Sequence, residues 1–192
     1  QELDPNHLVS TGNEGEQGCR GNRDLYLRSH ASPHVDYLTF HIWPKNWGWF
    51  DATRPDSTFD RALQLTMDYF ADHNALAREL NKPTVLEEFG LERDSGSFDP
   101  GEATTYRDRY LEQLFAAVVD SASAGSPMAG LNFWAWGGEG QAAHPDYLWR
   151  EGDSFTGDPP QEAQGLNSVF SGDQSTLEVF GKYNEKLLKL MQ

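Results

Sequence analysis

Three side chains of different chemistry stand at or near the ends of short apolar runs: Glu88 after residues 84–87, His41 within residues 35–42, and Trp134 within residues 130–135. Successive side chains of a strand point to opposite faces. If His41 faces one way, Thr39 and Tyr37 share its face, and Leu38, Phe40 and Ile42 take the other. The same parity groups Glu88 with Leu86 and Thr84, and Trp134 with Asn132 and Gly130. An acid, an imidazole and an indole then converge on one site. A carboxylate beside a sugar can attack the anomeric carbon, and an indole gives the C–H face of a pyranose an apolar floor. From the residues alone, a buried Glu and His satisfied by local hydrogen bonds is an equal reading.

Elements that would position these groups are legible along the chain. Four segments have the apolar, β-branched or alternating character of short strands: residues 7–11, 35–42, 84–88 and 130–135. Between the second and third, Ser57 as an N-cap followed by Phe59, Leu63, Met67, Phe70, Ala77 and Leu80 at helical spacing predicts a helix to Leu80. Tyr106, Tyr110, Leu114, Ala117 and Val118 predict another over residues 102–123, ending before Gly125. Leu177, Phe180, Tyr183, Leu187 and Leu190 predict a last helix over residues 175–190. Strand and helix in alternation is the pattern of a parallel sheet built from βαβ units.

No glycine-rich phosphate-binding loop follows any of these strands, which argues against a nucleotide fold. Polar and aromatic residues gather instead just beyond the strand ends, where (β/α)8 barrels build their sites. Four strands are half of eight, and a whole barrel runs to about 250 residues. The expectation is one α/β unit over residues 1–192, supplying about half of a TIM barrel and beginning partway through the architecture.

Composition excludes several partners. The chain is 38% hydrophobic and 23% charged, as a globular protein is. A net charge of −15 argues against nucleic acid or an anionic membrane surface but not against a neutral polymer. No apolar run is long enough for a membrane span, and the first residues carry no signal-peptide pattern, so an export signal would lie upstream. A single cysteine, Cys19, allows no internal disulfide. His7, His30, His34, His73 and His144 have no metal-ligand spacing and read as surface or loop histidines, so neither a metal nor another cofactor is expected.

Residues 83–90, Pro-Thr-Val-Leu-Glu-Glu-Phe-Gly, resemble the strand-seven motif of glycoside hydrolase family 5. In that motif the glutamate directly before the aromatic-Gly pair is the nucleophile, which selects Glu88 over Glu87. His41-Ile42-Trp43 is similar to the family's strand-six motif, whose histidine lines the site; Trp43 stands where the family often has Tyr. Phe133-Trp134 resembles the strand-eight tryptophan that floors the subsite of bond cleavage. Residues 4–15 and 41–49 are most similar to the endo-β-1,4-mannanase branch.

The resemblance implies a secreted or periplasmic retaining mannanase acting on mannan, glucomannan or galactomannan. Trp43, Trp47 and Trp49 would line its cleft. Retention needs a second carboxyl group about 5–5.5 Å from the nucleophile, which the family takes from an Asn-Glu-Pro motif on strand four. Asn13-Glu14 is followed by Gly15, and only one strand separates it from that of Glu88. Glu14 is therefore placed on strand five as a substrate contact on the leaving-group side, with the acid/base expected upstream. The long stretch 137–172 is expected to line the cleft, with Trp149 and His144 as its sugar contacts. The fragment alone is expected to be inactive, the barrel being closed by its amino-terminal half or by a second copy. A cellulase or exo-mannosidase of the same fold, or a non-catalytic carbohydrate-binding half barrel, are the alternatives.

Overall fold

A computed structural model describes Asp4 and residues 6–190. The elements are α1 (Arg23–His30), β1 (Leu38–Ile42), α2 (Pro55–Leu80), β2 (Thr84–Phe89), α3 (Thr105–Ser123), β3 (Met128–Leu131), β4 (Trp136–Gly138), β5 (Val169–Phe170) and α4 (Gln174–Leu190), with a short 3-10 turn at Asp94–Gly96. Strands β1, β2 and β3 form a parallel sheet in that order, and β4 pairs with β5 in a second, two-stranded sheet. The expected βαβαβ succession is thus present, with α2 and α3 as its crossovers.

The sheet buries one face against helices. Phe40, Ile42, Leu86 and Phe89 pack with Phe59, Ala62 and Phe70 of α2, Tyr110, Leu111, Leu114 and Phe115 of α3, and Tyr183 of α4. A smaller cluster beneath α1 joins Cys19, Tyr26, Leu38, Leu76 and Ala77.

Several boundaries differ from those expected, each for a local reason. Helix α2 begins at Pro55, whose missing N–H falls where no helical partner exists, and Ser57 donates its hydroxyl to Arg54 O instead of capping. It ends at Asn81, which adopts φ 51° as a left-handed cap. Helix α3 begins at Thr105 and not at Glu102, because the Asp94 carboxylate accepts from the N–H groups of Thr105 and Tyr106. Helix α1 was not anticipated; its signal is Asn22, whose side chain accepts from Leu25 N at 2.9 Å.

Residues 7–11 form no regular strand. The chain over residues 9–14 nevertheless runs beside β1: Asp36 N donates to Val9 O, Thr39 Oγ1 to Asn13 O and His41 N to Glu14 O at 2.8, 3.0 and 3.1 Å. Side chains make part of what a ladder would supply. At the other edge, Asn132 N and Trp134 N donate to Leu86 O and Phe89 O, both at 2.9 Å, so residues 132–134 continue along β2 beyond β3.

Candidate active site

Glu88 reaches its position through a bulge. Phe40 pairs with Leu86 and His41 with Glu88, so Glu87 has no partner on β1. The expected grouping of Leu86 with Glu88 is therefore wrong: Leu86 lies in the helix-packed core with Phe89, while Glu87 and Glu88 both remain partly exposed. Parity fails because it assumes an unbroken ladder. The two adjacent carboxylates flank one imidazole, with His41 Nδ1 3.3 Å from Glu88 Oε2 and His41 Nε2 3.4 Å from Glu87 Oε2. The His41 side chain is 12% exposed and that of Glu88 30%. Burial pushes the Glu88 carboxyl above the usual carboxylate range; His41 opposes this, and the charges of Glu87 and Glu14 add to it.

Glu14 is fixed from two sides. Its carbonyl accepts from His41 N of β1 and from the Tyr69 hydroxyl of α2, and its carboxylate accepts from Trp47 Nε1 at 3.3 Å. The following residues are tied to α2 as well, Glu16 N donating to His73 Nε2 and Gln17 N to Tyr69 OH. Gly15, at φ +96°, passes so close to α2 that an added Cβ would stand 2.6 Å from His73 Nε2. His73 and His30 are fully buried, contrary to the expected surface placement. Each ring is satisfied at both nitrogens: His73 by Tyr69 O and Glu16 N, His30 by Tyr26 O and Thr11 Oγ1. Helical spacing placed these rings on the buried face, and their polarity concealed it.

The tryptophans divide into two groups. Trp43 and Trp134 meet edge to face, with ring centroids 6.3 Å apart, above Gly90, where an added Cβ would approach Trp134 O to 2.8 Å and Trp43 to 3.2 Å. The peptide bond from Trp134 to Ala135 is cis. Trp47 packs on Trp49 and Tyr69 at 4.8 and 5.2 Å, so both indoles serve the core while Trp47 also holds Glu14. Trp149 lies parallel to Phe155 at 5.1 Å and donates to Asp153 O, and His144 Nε2 is 3.0 Å from Asp153 Oδ2. Those contacts are internal to their loop and join neither residue to Glu88.

The loop between β4 and β5 has its own buried frame. Asp158, 1% exposed, accepts from Gly165 N and Asn167 N at 2.9 Å and from the Ser168 hydroxyl. This turns Asn167 toward Gly90, where its Oδ1 would be 3.2 Å from an added Cβ. It also carries Glu162 toward the carboxylate site: burial first and then the charge of Asp158 raise the Glu162 carboxyl, Lys45 lowers it and Glu88 raises it further. Lys45 is ion-paired with the buried carboxylate of Glu92, which extends the cluster beyond β2. Glu87, Glu162, Asn167 and Asp158 were not singled out from sequence. Only Glu87 had a local signal, its adjacency to Glu88; the others depend on how the loop folds back. Among the described residues, no group of three or more His, Cys, Asp and Glu is arranged to hold a metal ion, and no helix is long and apolar enough to cross a membrane.

A crystal structure of a glycoside hydrolase family 5 mannosidase from Rhizomucor miehei is 36% identical over 97% of this chain and 45% of its own, with a TM-score of 0.87. A mannan endo-1,4-β-mannosidase 4 from Oryza sativa subsp. japonica is 25% identical over 98% of this chain, and a mannan endo-1,4-β-mannosidase 2 from Arabidopsis thaliana 26% identical over 75%. The chain spans 39% and 34% of the length of those two relatives. An endo-β-1,4-mannanase from Thermotoga petrophila, 19% identical with a TM-score of 0.53, shares the fold. The parallel strands and helices of this chain are part of a (β/α)8 barrel. The model that matches residues 1–192 throughout is described as GH family 5 β-mannosidase-like, and the chain belongs to that family.

Proposed function

We propose that Glu88 is the nucleophile of a retaining glycoside hydrolase that cleaves β-mannosidic bonds, and that this chain contributes strands five to eight of its barrel. The observation that carries this reading is the placement of Glu88: partly buried at the end of β2, 3.3 Å from His41 Nδ1, on the strand whose next residues lie beneath Trp43 and Trp134. A Glu88 oxygen attacks C1 of the mannosyl unit as the C1–O bond breaks, and the departing oxygen takes a proton from a general acid. Water then attacks C1 of the glycosyl ester, giving its proton to the same group now acting as base, and the Glu88 carboxylate is released.

That acid/base is assigned to a segment outside these residues, since the solved mannosidase has more than twice this length of chain. The other half of the barrel, or a second copy, would complete the site, and residues 1–192 alone would be inactive. Glu14, held by Trp47 and acting on Glu88 through its charge, is a substrate contact on the leaving-group side. Trp134 and Trp43 floor the cleaved mannosyl unit, and Trp47, packed with Trp49 on Tyr69, steadies Glu14 at the cleft. A neutral β-linked mannan, glucomannan or galactomannan accords with the net charge of −15, and such a polymer places the enzyme outside the cytoplasm.

The curated relatives are named as endo-acting, which supports attack on internal bonds. Exo action is favoured by a different observation, the higher identity to the Rhizomucor miehei mannosidase, of which a variant is in complex with mannosyl-fructose. Incubating the full-length protein with mannan and with short mannosides tests both. Mixed oligosaccharides from the polymer indicate endo action, and mannose alone indicates exo action. Hydrolysis undiminished by Glu88→Ala removes the catalytic reading.

A further inference from the structure

Glu87 has no role in the mechanism above, yet the bulge in β2 turns it to the same side as Glu88 and against the same imidazole. With Glu88 alone, the His41 ring would have one polar contact in the site and could pivot about it. With both carboxylates, each nitrogen faces an oxygen, and a 180° flip of the ring would replace both nitrogens by carbons. Carboxylates accept only, so Nε2 must carry a proton to donate to Glu87, while Nδ1 faces Glu88 in a polar contact of 3.3 Å. We propose that Glu87 is a positioning residue: it holds Nε2 of His41 so that Nδ1 faces one oxygen of Glu88 and leaves the other directed at the anomeric carbon. This rests on the assignment of Glu88 as nucleophile.

The charge of Glu87 argues against an electrostatic role in the same direction. A second negative charge beside a nucleophile that must be ionised opposes that ionisation. Orientation through His41 is the contribution that offsets it. Glutamine separates the two, because its amide oxygen still accepts from Nε2 and its charge is gone.

The test uses the full-length protein and 2,4-dinitrophenyl β-mannoside, whose leaving group departs without protonation, so that the first step reports attack by Glu88. Glu87→Ala is expected to lower the rate of that step about tenfold or more, in line with loss of a hydrogen bond to a charged group. The substrate Kd read from the saturation of that step should stay within about twofold. Glu87→Gln should restore most of the rate and move the acid limb of kcat/KM to lower pH. A folded Glu87→Ala variant with the parent first-step rate, a loss confined to the substrate Kd, or a Glu87→Gln variant as slow as Glu87→Ala overturns the proposal. If Glu87→Ala does not fold, Glu87→Gln carries the test, and a folded, slow Glu87→Gln variant overturns it. Glu88→Ala, assayed in parallel with azide, keeps the two readings apart: activity without azide, or no rescue with it, defeats the nucleophile assignment whatever Glu87 does.

Discussion

His41 Nδ1 lies 3.3 Å from Glu88 Oε2, and this contact sets an imidazole against the burial that disfavours a charged Glu88. Raised above the ordinary carboxylate range, Glu88 would become ionised, and able to attack, only at correspondingly higher pH. The acid limb of kcat/KM is therefore expected above that of a free glutamate. Glu14 adds to the shift through its charge. In Glu14→Gln the limb should move to lower pH, while the amide oxygen still accepts from Trp47. A limb that stays in place or moves upward means that Glu14 does not act on Glu88.

Stability should depend on His73. Burial is the main cause that pushes its imidazole down to about 4, with the Tyr69 carbonyl opposing it. In the unfolded chain the ring takes up a proton near the ordinary imidazole value of 6.5. Its contribution is thus complete above about pH 6.5 and is lost as pH falls toward 4. Between pH 7 and 5 this amounts to roughly 2 kcal/mol. Urea midpoints at the two pH values should separate less in His73→Gln than in the parent; equal separation contradicts a buried neutral ring.

Gly90→Ala tests the packing beneath the two tryptophans. The new methyl would stand 2.8 Å from Trp134 O and 3.2 Å from both Asn167 Oδ1 and Trp43. Trp134 O belongs to the backbone and has little room to yield. A loss of about 1–3 kcal/mol is expected from such overpacking, together with weaker binding of mannosides. Parent stability measured in urea would show that these rings are not held as described.

Asp158→Ala should loosen the loop between β4 and β5. Removing one carboxylate strands the N–H groups of Gly165 and Asn167, while the Ser168 hydroxyl keeps the Thr156 carbonyl as its acceptor. Leaving buried donors without partners costs about 1–3 kcal/mol for each group. Hydrogen exchange should rise across residues 156–168 while α2 remains protected. A uniform rise throughout the chain would instead mean that the loop unfolds only with the whole.

What could be read from the sequence followed from periodicity. The helical stripes gave α2, α3 and α4, and alternation put Leu38, Phe40 and Ile42 on the helix side of β1. Residues 7–11 had strand composition but pair through isolated bonds and side chains, as an edge segment can. The bulge at Glu87 was hidden because one extra residue changes facing without changing composition. Glu162 and Asn167 were hidden because neither belongs to a periodic element, and a network centred on Asp158 brings their loop back. The motifs selected Glu88, His41, Trp43 and Trp134, which the fold gathers at the ends of β1 and β2 and along the continuation of β3. Trp149 and His144 were chosen by composition alone, and their contacts stay within the loop.

As nucleophile, Glu88 would form the covalent bond to the sugar. Treating the full-length protein with 2-deoxy-2-fluoro-β-mannosyl fluoride should trap the glycosyl-enzyme, and peptide mass spectrometry should find the label on Glu88. A label on Glu87, Glu14 or any other residue, or inactivation-free turnover with no trapped ester, would contradict the account.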